Sequence, residues 1–154
     1  MGNRLLPGCI DNTYRGHELA LWLFAVIVFV RASQGVAAIV SSYSIAISAD
    51  GIPLETFPVT AAQTVVTTFA ISGLSRLIIS LVGILAFVRY RSAITLMFSL
   101  LALDYVGRQL ILHFYPIVRV GSPIGPTVNH ILFALTFLGL VLSLWSKRDL
   151  RAQK

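Results

Sequence analysis

Long apolar runs alternate with short polar ones along the whole chain. Four segments, about residues 19–45, 61–88, 93–115 and 127–145, are apolar and long enough to cross a bilayer as helices, because a helical span needs roughly 20 apolar residues. The first segment (LALWLFAVIVFVRASQGVAAIVSSYSI) is long for one span, and is expected to tilt or to bend near Gly35 or at Ser41 and Ser42. Pro116 ends the third segment and Gly125-Pro126 opens the fourth, proline being well suited to a first helical turn. Gly51, Pro53 and Pro58 mark a loop between the first two. The pattern predicts an all-α fold: one transmembrane domain over residues 1–154, built as a compact four-helix bundle without internal repeats.

Composition agrees with that pattern. Of 154 residues, 56% are hydrophobic and 12% charged, with a mean hydropathy of +0.84; a soluble domain carries about twice that charged fraction. The net charge of +6 is read as topogenic. Arg4, Arg15, Arg89, Arg91, Lys147, Arg148, Arg151 and Lys154 fall on one side of a four-span arrangement, whereas the other has only Arg119, with Asp50 and Glu55. The positive-inside rule then places both termini in the cytoplasm, and the small size and short loops favour a bacterial inner membrane. The basic tail suits lipid headgroups better than nucleic acid, because its charges sit beside a span end rather than on a separate basic domain.

Two terminal motifs are discounted. Leu6-Pro7-Gly8-Cys9 resembles a lipobox but lacks the preceding apolar stretch, and Leu6 stands where a myristoylation motif needs Ser or Thr. A single cysteine excludes an internal disulfide and a multi-cysteine metal site. Trp22, Trp145 and Tyr90 at one set of span ends, with Tyr43 and Tyr115 at the other, fit interfacial aromatic belts.

The candidate chemistry lies in charges inside the spans. Arg31, Arg76, Asp104 and Arg108 interrupt otherwise apolar helices, and a charge at that depth faces a bundle interior, a cavity or a partner. At 1.5 Å per residue, Arg31, Arg76 and Asp104 each lie about 20 Å from the basic end of their span, so they share a layer. Arg108 is one turn further and, at i,i+4 from Asp104, close enough to pair with it. Asp104 can neutralise one arginine, not three. Polar residues flank this layer. Thr64, Thr68, Ser72, Arg76, Ser80 and Gly83 recur at steps of four and three and are expected to face inward, with Gln34 and Ser42 on the first span and Asn129, Thr136 and Ser143 on the fourth. For the hydroxyls, helix packing and hydrogen bonding explain the pattern best. Ser33, Ala37 and Ser41 form a small-residue ridge for packing or dimerisation.

For the arginines two readings stand side by side: a structural charge network, or an electropositive pocket whose guanidinium forks bind a carboxylate or phosphate. The expected function is therefore binding of an anionic lipid headgroup or amphiphilic carboxylate by Arg31, Gln34, Ser72, Arg76, Asp104 and Arg108. Two alternatives remain. The protein could be an accessory subunit of a larger membrane complex whose partner, a membrane protein or a second copy of the chain, supplies acidic groups. His113 and His130, at comparable depth on adjacent spans, could instead ligate haem b or hold a quinone. No catalytic residue, nucleotide loop or metal motif stands out, and His113 and Asp104 are about 13 Å apart along one helix, too far to act together.

Overall fold

A computed structural model of the chain describes Asn12, Tyr14 and residues 16–145. The lipobox-like segment, Arg4, Arg15 and the basic tail lie outside the described residues, and with them most of the charges that argue for orientation. Four helices dominate: α1 (Glu18–Val40), α2 (Val59–Arg89), α3 (Ile94–Phe114) and α4 (Ile124–Leu144). There is no strand among the described residues. Each helix, α3 counted with its leading turn Arg91–Ala93, is long and apolar enough to cross a membrane, and the chain is an all-helical integral membrane protein. At 31 residues, α2 is about 46 Å long, which exceeds the roughly 30 Å hydrocarbon layer and requires tilt or projection.

Successive helices run in opposite directions. The His17 N–H donates to Leu142 O (3.3 Å), tying the start of α1 to the end of α4, and Val120 N–H donates to Gly51 O (2.8 Å), joining the two loops at the other end. His17 also caps α1, its Nδ1 accepting from Leu19 N–H and so satisfying one of the free donors of the first turn. Below, the two ends are called the Arg89 end and the Asp50 end.

The long first segment is not one helix. Regular α-helix stops at Val40, Ser41 adopts φ −127° and ψ 39°, and after a single turn (Ser42–Ser44) the chain widens into a π-helical turn, Ile45–Ala49. The bend falls at Ser41 and Ser42, one of its two expected places. Gly51, at φ +69°, ends the run: its left-handed conformation lets Ile52 N–H turn back to Ala46 O, a wide form of the glycine helix stop.

Gly35 does not bend α1, because it has a different task. A Cβ there would lie 3.0 Å from Gly73 O, and one on Gly73 would lie 2.8 Å from the Ala38 Cβ and 2.9 Å from Gly35 O. The two glycines bring the backbones of α1 and α2 together, as small residues do where lipid offers no hydrophobic drive to association. The ridge used is thus Gly35, Ala38 and Ser42, all buried, whereas Ser33 and Ser41 are exposed.

Two cores result. Near the Arg89 end all four helices contribute: Ala20, Phe24, Ile27 and Val28 of α1 pack with Ala86, Ile94, Met97, Phe98, Leu101 and Leu132. Phe24 meets Phe98 edge-on at 5.1 Å between centroids, and Phe98 in turn lies over Gly139. Near the Asp50 end a smaller core of Ala46, Ile52 and Leu54 packs only with Ile47 and with Val65, Val66 and Phe69 of α2.

The inward stripe expected on α2 holds only in part. Ser80 and Gly83 are buried and Arg76 half-buried, but Thr64, Thr68 and Ser72 are exposed. A step of four residues advances about 40° beyond a full turn, so four such steps place Thr64 about 160° from Ser80. The hydroxyls are satisfied within their own helices: Thr64, Thr68, Ser80 and Thr136 each donate to the carbonyl four residues earlier. Thr95 and Ser143, both buried, bridge α3 and α4 instead.

Placing a methyl group at the α1–α2 crossing should be costly. Gly73→Ala is expected to lower stability by about 1–3 kcal/mol through overpacking. Gly107, where an added Cβ would meet nothing within 4 Å, should tolerate Ala or gain up to about 1 kcal/mol of helix propensity. Thermal unfolding of both variants in one detergent checks the contrast; equal melting would remove the close crossing.

Candidate functional site

Arg31, Asp104 and Arg108 form one hydrogen-bonded cluster between the two cores. Arg31, 8% exposed, donates from Nη1 to Asp104 Oδ2 at 3.0 Å across from α1 to α3. Arg108 Nε donates to Oδ1 at 3.0 Å and Oδ2 at 3.2 Å. The i,i+4 pairing is therefore present, Arg31 and Asp104 meet at a common depth, and one carboxylate serves two guanidiniums. Compensation stops there. The Nε of Arg31 is buried without an acceptor among the described residues.

Arg76 is the third guanidinium. It is half-buried and lies within electrostatic reach of Arg108, Arg31, Asp104 and Asp50. Among the described residues its side chain makes neither a hydrogen bond nor an ion pair, because both ion pairs present belong to Asp104. Gln34 stands half-buried one turn beyond Arg31. Ser72, one turn from Arg76 on α2, is exposed.

Asp50 was not among the expected site residues. It follows the π-helical turn, and its Oδ1 would lie 3.0 Å from a Cβ on Gly125, at the first turn of α4. Burial raises the Asp50 carboxyl above the usual aspartate range, with Arg119 and then Arg76 pulling it partly back. The position of a carboxylate against a helix N-terminus is itself favourable. Only its contrast with the nearly charge-free side of the sequence could have drawn attention to Asp50.

The polar set extends along α3. Gln109 Nε2 donates to Tyr105 Oη at 2.6 Å, and Tyr105 stacks on Phe133 at 4.2 Å between centroids and meets His130 edge-on. His130 is exposed, with Nδ1 at 2.6 Å from Pro126 O. His113 is exposed too, and its ring packs against Phe114. The two histidines thus have different neighbours, and no contact among the described residues joins them. No group of three His, Cys, Asp or Glu side chains able to hold a metal is present among the described residues.

Chemically, the arrangement offers charge-assisted donors. Planar guanidiniums at low dielectric are suited to oxyanions. No protein-family model matches the chain, no curated protein matches it in sequence, and no solved structure matches its fold.

The exposures rank the pair energies. Asp104→Asn leaves the charge of Arg31 buried without its counter-ion and should destabilise by about 3–5 kcal/mol. The Arg108 side chain is 41% exposed, so Arg108→Met should cost less than about 1 kcal/mol. Chemical or thermal unfolding in neutral detergent distinguishes them; a larger loss for Arg108→Met would reverse the assignment of Arg31 as the dependent partner.

Proposed function

We propose that this membrane protein binds an anionic amphiphile, either through a lipid headgroup or through the carboxylate of a fatty chain, in the layer of Arg31, Gln34, Ser72, Arg76, Asp104 and Arg108. The observation that carries this reading is Arg76: a guanidinium within a span, beside two others, with no carboxylate in contact among the described residues. Insertion of an arginine at the centre of a span costs about 2.5–3.5 kcal/mol. A sequence that retains it without an internal counter-ion has reason to expect an external one, and the unpaired Arg31 Nε offers a second donor toward the same anion.

The four helices form a compact bundle in this proposal, with the Arg89 end and both termini in the cytoplasm of a bacterial inner membrane. Support comes from Arg89 and Arg91 at that end and from the lone Arg119 at the other. A reporter active only in the cytoplasm should give signal when fused after Lys154 and none when inserted after the exposed Glu55. Signal from the second insertion would overturn the orientation.

Ligand binding is tested by Arg76→Met. Without ligand the variant should be as stable as the parent or more so, since a desolvated charge is removed. Added phosphatidylglycerol should stabilise the parent by RT ln(1 + [L]/Kd), about 2.7 kcal/mol at a hundredfold excess over Kd, and should leave the variant near its unliganded melting temperature. Phosphatidylcholine is the neutral control. A variant that is less stable alone yet keeps the full phosphatidylglycerol shift would mean that Arg76 is structural and the binding proposal is wrong.

A further inference from the structure

Around the charged layer, directions that are buried near one end of a helix are exposed nearer its other end. On α2, Thr68 and Ala86 are 18 residues apart, about five full turns, and so point the same way. Ala86 is 5% exposed and belongs to the four-helix core, whereas Thr68 is exposed. Ser72 points within about 20° of Gly83, whose added Cβ would meet Val28 and Phe24 of α1, so Ser72 borders the α1 side of α2, and there it is exposed.

On α3 the same test gives the same answer. Arg108 points within about 20° of Leu101, two turns earlier. Leu101 is 2% exposed, while the Arg108 side chain is 41% exposed. No residue of α3 beyond Tyr105 is buried. The directions of Ala86 on α2 and Leu101 on α3, buried near the Arg89 end, are therefore exposed toward the Asp50 end. Arg76 lies between Thr68 and Ala86 along α2.

The aqueous end is different. There the loops after α1 and before α4 clasp each other through Val120 N–H and Gly51 O, and Gly125 fits against Ala49 O, which would lie 2.7 Å from any Cβ on it. This clasp also carries Asp50, whose Oδ1 would lie 3.0 Å from a Cβ on Gly125. A soluble anion arriving from that side meets a carboxylate before it meets a guanidinium.

We infer that the ligand enters sideways, from the leaflet at the Asp50 end, through the opening between α2 and α3, and that it is a membrane-resident amphiphile rather than a soluble anion. The headgroup oxyanion is held by Arg76 and the free Nε of Arg31, which is itself on a residue more than nine-tenths buried. The chain of the amphiphile lies against Thr68 and Ser72. This inference rests on the anion-binding reading above and adds the route by which the amphiphile reaches the site.

The test uses the full chain in neutral detergent with three probes: phosphatidylglycerol, oleate and inorganic phosphate. Phosphatidylglycerol and oleate carry the same kind of charge on different tails, and either one raising the melting temperature supports a membrane-resident source, the stronger identifying the headgroup. Inorganic phosphate at equal concentration should produce no shift. Ser72→Trp and Thr68→Trp fill the opening at exposed positions and should weaken apparent amphiphile affinity at least tenfold. Thr67→Trp, also exposed but on another side of α2, should leave it unchanged.

The outcomes separate the two claims. If Arg76→Met abolishes amphiphile binding but both tryptophan variants at the opening bind as the parent does, the anion site stands and lateral entry is overturned. The same holds if inorganic phosphate stabilises the parent as strongly as phosphatidylglycerol. If Arg76→Met keeps the full shift, the site itself falls and the route with it.

Discussion

The fold depends on one carboxylate. Asp104 accepts from Arg31 on a different helix and from Arg108 on its own, and without it a guanidinium almost wholly removed from solvent would sit in an apolar helix pair with no anion. In a medium of low dielectric the attraction within such a pair is large, but so is the loss of hydration that precedes it. A buried ion pair is thus weak evidence for gained stability and stronger evidence for position: α1 and α3, which otherwise touch little, are held at one relative depth because any axial slip would separate Arg31 from Asp104. The pair sets the register of the helices.

Everything on either side of that layer differs in kind. Toward the Arg89 end, Phe24, Phe98 and Leu101 are sealed among four helices; toward the Asp50 end, the second core involves only α2 and the irregular segment after α1. The tight crossing at Gly35 and Gly73 lies next to the charged layer and keeps α1 on α2 throughout, whereas α3 follows α4 through the stack of Tyr105 on Phe133. The two helix pairs are packed through a four-helix core at one end and through a smaller core at the other, and the ion pairs of Asp104 lie between the two.

Parts of this were legible in the residues alone. Arg31 and Asp104 could be placed at one depth by counting from the polar boundaries, because helix rise is constant, and Asp104 with Arg108 followed from local helix geometry. The bend at Ser41 was marked by polar residues in an overlong apolar run. Three features required the third dimension. The partner of Gly35 is Gly73, and no local pattern says which glycines of two helices will meet. The polar stripe on α2 was expected to stay inward, but a repeat of four drifts around a helix that turns every 3.6 residues. Asp50 comes against the first turn of α4 only because Gly51 turns the chain and the loop before α4 closes on it, a contact between segments far apart in sequence.

The separation between Arg31 and Asp104 along the chain, 73 residues, is also an interval of time. At synthesis rates of about 5–20 residues per second, Arg31 emerges some 4–15 seconds before its counter-ion exists. During that interval α1 holds a charge that lipid alone accommodates poorly, while its glycine crossing with α2 is already available. The order of the chain thus makes the α1–α2 hairpin available before the counter-ion of its arginine, and the contacts that close the two ends, Leu142 to His17 at one and Val120 to Gly51 at the other, need residues synthesised after Asp104.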